Sequence, residues 1–232
     1  MATFGLVHGA WHGAWCWDLL VRELRAAGHT AVAMDLPCED RQAGFSDYAD
    51  VVVRSLDGYD EVVLVGHSMG GITIPLVALR RPVRCLLFLC ALVAEGPIVV
   101  PTGEPPTHPD GAFDSLVHHH DGSHSWPTLD TAIEAMYHDC EPQLAATAFA
   151  RLRRQQTALW EGFGALERWP QVPSAYILGT CDRLIRPEWS RWIARERLGL
   201  RATDLPTGHS PMLGCPARLA QVLVSSLVEA TR

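Results

Sequence analysis

Short apolar runs alternate with amphipathic stretches along the chain. Phe4–Val7, Ala31–Met34, Val62–Val65, Cys85–Leu89, Ala175–Leu178 and Ala202–Leu205 are rich in Val, Leu and Ile, and most end at Gly, Pro or Asp. Such runs read as short buried strands. Between them, Trp15–Ala27, Ser46–Leu56, Met69–Arg80, Glu188–Leu198 and Pro216–Ala230 carry helical spacing. The first places Cys16, Leu19, Leu20 and Leu24 on one face and meets Gly28 as a stop. Strands without polar alternation, separated by helices, imply a mainly parallel sheet covered on both faces. The expected class is therefore α/β, with about six core strands.

One segment breaks this rhythm. From Ala94 to Pro170 the pattern predicts no strand; the stretch opens with EGPIVVPTGEPPTHPDG and continues with helical patterns near Leu129–His138 and Pro142–Gln156. A structureless loop of that length is improbable in a compact domain. Residues 94–168 are therefore expected to form a helical insertion after the fourth strand, with 1–93 and 169–232 making one core. Ligands of open α/β sheets bind beyond the carboxyl ends of the strands, so an insertion there is expected to act as a lid. Within it, HHHDGSHSW (118–126) has no acidic or Cys partners at regular spacing and reads as a solvated loop rather than a metal site.

The sharpest chemistry lies in EVVLVGHSMGG (61–71). G-x-S-x-G is weak as five letters, but here a buried strand precedes it and a helix follows, as a nucleophile elbow requires. Ser68 would sit at the apex, with Gly66 and Gly70 where strand and helix backbones nearly touch. A serine hydroxyl needs a base, and the base needs an orienting acid. AYILGTCDRLIRP (175–187) presents Asp182 after a late strand, and ATDLPTGHSPM (202–212) presents His209 after the last one. Glu188 and Asp204 are the rival acids nearby. An oxyanion would need two backbone N–H donors: Met69, which follows the serine, and Ala10 in the loop HGAWHGAW (8–15). His8 and His12 are expected to hold that loop by hydrogen bonds rather than to act in chemistry. Gly9 and Trp11 are candidates for the substrate pocket.

Composition narrows the class. The chain has 232 residues, 48% hydrophobic and 19% charged, with a formal net charge of −7 and no basic run. That suits a globular protein and argues mildly against nucleic acid as a partner. The N-terminal stretch has no basic n-region, and no apolar run approaches about 18 residues, so neither a signal peptide nor a membrane span is expected. Seven cysteines, an odd number without a C-x-x-C spacing, fit a reduced, cytoplasmic protein. A homodimer is left open.

LVHGAWHGAWCW, LVGHSMGG, LGTCDRLIRPEWSRW and GHSPML, in that order, resemble the α/β-hydrolase superfamily, and within it the plant-type methylesterase and hydroxynitrile lyase family with its bacterial esterase relatives. The resemblance implies a six-stranded core sheet, a cap, the triad Ser68, Asp182 and His209, and Ala10 and Met69 as hole residues. It implies no metal or organic cofactor. Lyases of that family typically carry Thr or Asn just before the first hole residue, and many carry Lys after the catalytic His. Here those positions are Gly9 and Ser210, which places the chain on the esterase side. A lyase or cyclising enzyme using the same triad, or a small-molecule receptor, are the alternatives.

Overall fold

A computed structural model describes residues 1–95, 103–161 and 163–231. All six expected strands form: β1 (Thr3–Val7), β2 (Thr30–Ala33), β3 (Val62–His67), β4 (Cys85–Leu89), and, later in the chain, Ser174–Gly179 and Thr203–Leu205. Three short strands intervene between β4 and this last pair: β5 (Val117–His118), β6 (Ser123–Ser125) and β7 (Gln155–Gln156). The last two core strands are therefore β8 and β9. The core sheet has the order β2-β1-β3-β4-β8-β9, and every pairing in it is parallel.

The helices are α1 (Asp18–Ala26, preceded by a 3₁₀ turn at Ala14–Trp17), α2 (Phe45–Ser55), α3 (Gly70–Ala78), α4 (Leu129–Ala132, continued by a π-helical turn to Tyr137), α5 (Pro142–Phe149), α6 (Pro187–Glu196), α7 (Pro211–Gly214) and α8 (Pro216–Ala230). The two-residue period of the strands divides the core. Val63, Val65, Leu87 and Leu89 pack with Leu20 and Leu24 of α1 and Leu219 and Leu223 of α8. Leu64, Leu86 and Phe88 face Val52 of α2, Ile74 of α3 and Ile193 of α6. These side chains are almost wholly buried, which is why the runs read as continuous apolar stretches.

Two expectations between β4 and β8 need correction. The helix read over Pro142–Gln156 stops at Phe149, although LAATAFARLRR favours its continuation. Tertiary bonds take the chain instead: Arg153 N–H donates to Trp11 O at 2.7 Å, its Nη1 to Leu36 O at 3.1 Å, and Gln156 N–H to Cys38 O at 2.9 Å. The segment expected to lack strands contains the antiparallel sheet β5-β6-β7. HHHDGSHSW is its hairpin, turning at Gly122 (φ +82°), rather than a solvated loop; Ser123 is buried. Asp121 Oδ1 accepts from Ser123 N–H at 2.9 Å and so tightens the turn. Among the described residues no helix is long and apolar enough to cross a membrane.

Candidate active site

Four core strands deliver the site at their carboxyl ends. β3 runs into Ser68, whose φ of 51° is left-handed, an uncommon and strained conformation for a residue with a side chain. The strain is held by neighbours. Ser68 N–H donates to Leu89 O at 3.1 Å, and its carbonyl accepts from Gly71 N–H and Leu92 N–H, both at 3.0 Å. The glycines are required by close approach. A Cβ on Gly66 would stand 2.7 Å from the Gly70 oxygen, and one on Gly70 would stand 2.6 Å from the Val7 oxygen. Strand β3, helix α3 and the end of β1 therefore meet backbone to backbone under the serine.

β8 ends at Gly179 and presents Asp182; β9 ends at Leu205 and presents His209. The imidazole Nδ1–H donates to Asp182 Oδ2 at 2.8 Å, and both side chains are nearly excluded from water. Asp182 Oδ1 accepts from Leu184 N–H at 2.8 Å and Ile185 N–H at 3.0 Å, so both carboxylate oxygens are held. Of the rival acids, Asp204 pairs with Arg191 at 2.7 Å on the surface, and Glu188 lies in the first turn of α6. Ser68 and His209 line one cavity. Among the described residues Ser68 Oγ forms no hydrogen bond, and His209 Nδ1 is bonded to Asp182.

Ala10 and Met69 line the same cavity. Neither backbone N–H donates to a protein acceptor among the described residues, which is unusual for amides in such an enclosed place. The loop that carries Ala10 is fixed by neutral histidines, as expected. His8 Nδ1–H donates to Gly9 O at 2.8 Å while Nε2 accepts from Leu36 N–H at 3.0 Å. His12 Nδ1–H donates to Ala10 O and Nε2 accepts from the Tyr137 hydroxyl, both at 2.8 Å. Burial pushes these imidazoles down to about 4 and about 3 respectively. Trp11, at φ 62°, lines the cavity. Gly9 is not among the lining residues; a Cβ there would stand 2.7 Å from Ser68 Cβ and 3.1 Å from His67 Nδ1, so it lies behind the serine.

Sequence reasoning missed several groups. His67, the second residue of the elbow, donates from Nε2 to the His209 carbonyl at 2.8 Å, and its ring lies 4.8 Å from the His209 ring. Its burial holds it well below the ordinary histidine range. Asp139, from the segment between β4 and β8, accepts from the Thr207 hydroxyl at 2.7 Å and Gly208 N–H at 2.5 Å, clamping the loop that carries His209. The cavity has a volume of about 360 Å³. Leu92, Phe113, Leu116, Trp160, Leu184 and Ile185 form its apolar wall, and His108, His118, His124, Gln155 and Thr157 its polar part. Among the described residues that line it, none is Asp, Glu, Lys or Arg. Among the described residues no group of three or more His, Cys, Asp or Glu could hold a metal ion.

Comparison with known proteins agrees with this architecture. Residues 6–222 match the alpha/beta hydrolase family. Methyl jasmonate esterase 1 of Vitis vinifera is 28% identical over 246 aligned positions, spanning 95% of this chain and 94% of its own. The solved structure of a pyrethroid hydrolase from Sphingobium faniae superposes with a TM-score of 0.79 at 25% identity, covering 98% of this chain and 97% of the other. Polyneuridine aldehyde esterase superposes with a TM-score of 0.79 at 22% identity over 97% and 98% of the two chains, which bears on the fold alone.

Proposed function

The chain belongs to the alpha/beta hydrolase family, and from that premise we propose that it is a serine hydrolase cleaving a small-to-medium, neutral and partly apolar carboxylic ester. One observation carries the reading. A buried imidazole is held at 2.8 Å by a fully bonded carboxylate, and it shares a cavity with a serine at φ 51° and two free backbone amides. Of the relatives compared, one is named for a methyl ester and another for pyrethroids, both neutral and apolar.

In this reading His209 Nε2 takes the Ser68 proton as Oγ bonds to the ester carbonyl carbon. The carbonyl oxygen becomes an oxyanion between the Ala10 and Met69 N–H groups, and Met69, at the N-terminus of α3, adds the favourable end of a helix. Asp182 holds the Nδ1–H tautomer and stabilises the imidazolium. The imidazolium returns its proton to the alkoxy oxygen as that bond breaks, and the alcohol leaves an acyl group on Ser68. Water then repeats the sequence in reverse order of roles, releasing the acid. The residues between β4 and β8 serve as the cap of this site, since nine of the described lining residues, among them Phe113, Leu116 and Trp160, come from them.

A lyase reading draws no support from the site. A cyanohydrin lyase needs a group to hold the substrate hydroxyl and a cation for the departing anion. Position 9 is backbone only, and its Cβ direction is filled by Ser68. Ser210 is uncharged and fully buried. The direct test is parallel assay of p-nitrophenyl acetate and mandelonitrile. Clear hydrolysis of the first with negligible cleavage of the second is expected; the reverse order of rates would overturn the assignment.

A further inference from the structure

The small sheet places three polar side chains in one row. In its register His124 of β6 is the partner of His118 on one side and of Gln155 on the other, and all three line the cavity. Directly paired residues on one face have Cβ atoms about 4.5–5.5 Å apart, so the His124 and Gln155 side chains stand next to each other.

Each has one end fixed by the protein. Trp11 Nε1–H, which can only donate, meets His124 Nδ1 at 3.0 Å. Nδ1 therefore carries the lone pair, and the proton of the neutral ring is on Nε2. Burial, with His118 and His119 adding to it, pushes this imidazole down to about 4, so the ring is neutral at ordinary pH. Nε2–H donates to nothing among the described residues. Gln155 is 1% exposed. Its Nε2 donates to the Gln156 carbonyl at 3.1 Å and to the Tyr48 hydroxyl at 3.2 Å. Since a carbonyl can only accept, the amide orientation is determined, and the oxygen is the free end. That Oε1 is buried and has no partner among the described residues. A buried acceptor without a partner costs free energy, and a polar ligand relieves it.

We propose that His124 Nε2–H and Gln155 Oε1 form a donor–acceptor subsite for a substrate group that itself both accepts and donates, namely a hydroxyl or a secondary amide on the ester. The inference rests on the ester-hydrolase reading above and narrows its substrate class. The apolar wall would hold the body of the ester, while this pair selects a polar substituent away from the scissile bond. The subsite is tied to the oxyanion loop, because the residue that orients His124 is Trp11, the neighbour of Ala10.

The test uses methyl esters of 3- and 4-(hydroxymethyl)phenylacetic acid beside their ethyl isosteres, in which CH₃ replaces OH. Within each protein the readout is the ratio of kcat/KM for the hydroxymethyl-substituted methyl ester to that for the ethyl-substituted methyl ester, so a general loss of activity cancels. The wild type is expected to favour the hydroxyl member of at least one pair by about tenfold. His124→Phe should bring the ratio to about one, and His124→Gln, which keeps an N–H donor, should restore part of it. If His124→Phe does not fold, Gln155→Met is read in the same way. Calorimetric binding of the same pairs to Ser68→Ala should show the same preference without turnover. Preference in binding by a protein whose wild type hydrolyses none of the esters would uphold the subsite and sink the hydrolase reading. Hydrolysis with a wild-type ratio near one, or a ratio that survives in His124→Phe, would overturn the subsite and leave hydrolysis standing.

Discussion

Lowering the pH from 7 to 5 should destabilise this protein through histidines rather than carboxylates. His8 and His12 are 0% and 1% exposed. Each uses both ring nitrogens: one donates to a backbone carbonyl of the loop that carries Ala10, and the other accepts from Leu36 N–H or the Tyr137 hydroxyl. A proton on either Nε2 would destroy an acceptor and place a charge in the core. Burial accordingly lowers the two groups from 6.5 to about 4 and about 3. The unfolded chain takes up these protons below about 6.5 and the folded chain does not, so between 6.5 and the folded values the unfolded state binds more protons. Stability is therefore full above about pH 6.5 and is lost as pH falls. By pH 5 each histidine costs about 2 kcal/mol relative to pH 7, about 4 kcal/mol for the two. His67, lowered well below the ordinary range, acts in the same direction. Against a net stability of about 5–15 kcal/mol, that is a large loss. Urea unfolding followed by tryptophan fluorescence at pH 7 and pH 5 measures it, and ¹⁵N shifts of the imidazoles report their protonation at pH 5. A difference below about 1 kcal/mol, or a His8 or His12 ring protonated at pH 5 in the folded protein, would refute the reasoning.

Asp182→Asn should lower kcat by about 10³–10⁴-fold by favouring the wrong tautomer of His209, whereas Asp204→Asn, on a surface ion pair, should change it little; the opposite pattern in a p-nitrophenyl ester assay would move the acid to Asp204. Gly9→Ala should lower kcat by about 10²-fold, because the new methyl meets Ser68 Cβ at 2.7 Å and forces the Ala10 amide out of place; turnover within twofold of wild type would show that the loop yields without loss. Gly66→Ala should damage the fold itself, since its Cβ meets the Gly70 carbonyl at 2.7 Å and only backbone could move to relieve it; a thermal midpoint equal to wild type would contradict this.

The parts legible in the sequence are those whose cause is local. Val62–His67 and Cys85–Leu89 are apolar at nearly every position because they are covered on both faces, and Pro216–Ala230 declares its start with proline. The elbow was legible because only glycine fits where Gly66 and Gly70 stand. β5, β6 and β7 were not legible. They are two or three residues long and mostly polar, and what makes them strands is pairing across more than thirty residues between β6 and β7. For the same reason His124 and Gln155 acquire a shared role only through register. Helix α5 is shorter than its sequence predicts because its propensity outlasts Phe149, while Arg153 is claimed by Trp11 and Leu36 from the other end of the chain. Asp139 carried no signal either; its meaning comes from Thr207 and Gly208, which the fold brings beside it. His67 could have been singled out, since a buried histidine preceding the serine must find a partner, and it finds the carbonyl of His209.

The central claim is that Ser68 carries the acyl group. Mixing the protein with p-nitrophenyl butyrate, quenching in acid during turnover and mapping peptide masses tests it directly. The account predicts a butyryl group on the peptide containing Ser68, no such adduct in Ser68→Ala, and a loss of turnover on the order of 10⁴-fold in that variant. Ester turnover in wild type with the acyl group on another residue, or Ser68→Ala keeping more than about a tenth of wild-type activity, where that loss is expected, would contradict it.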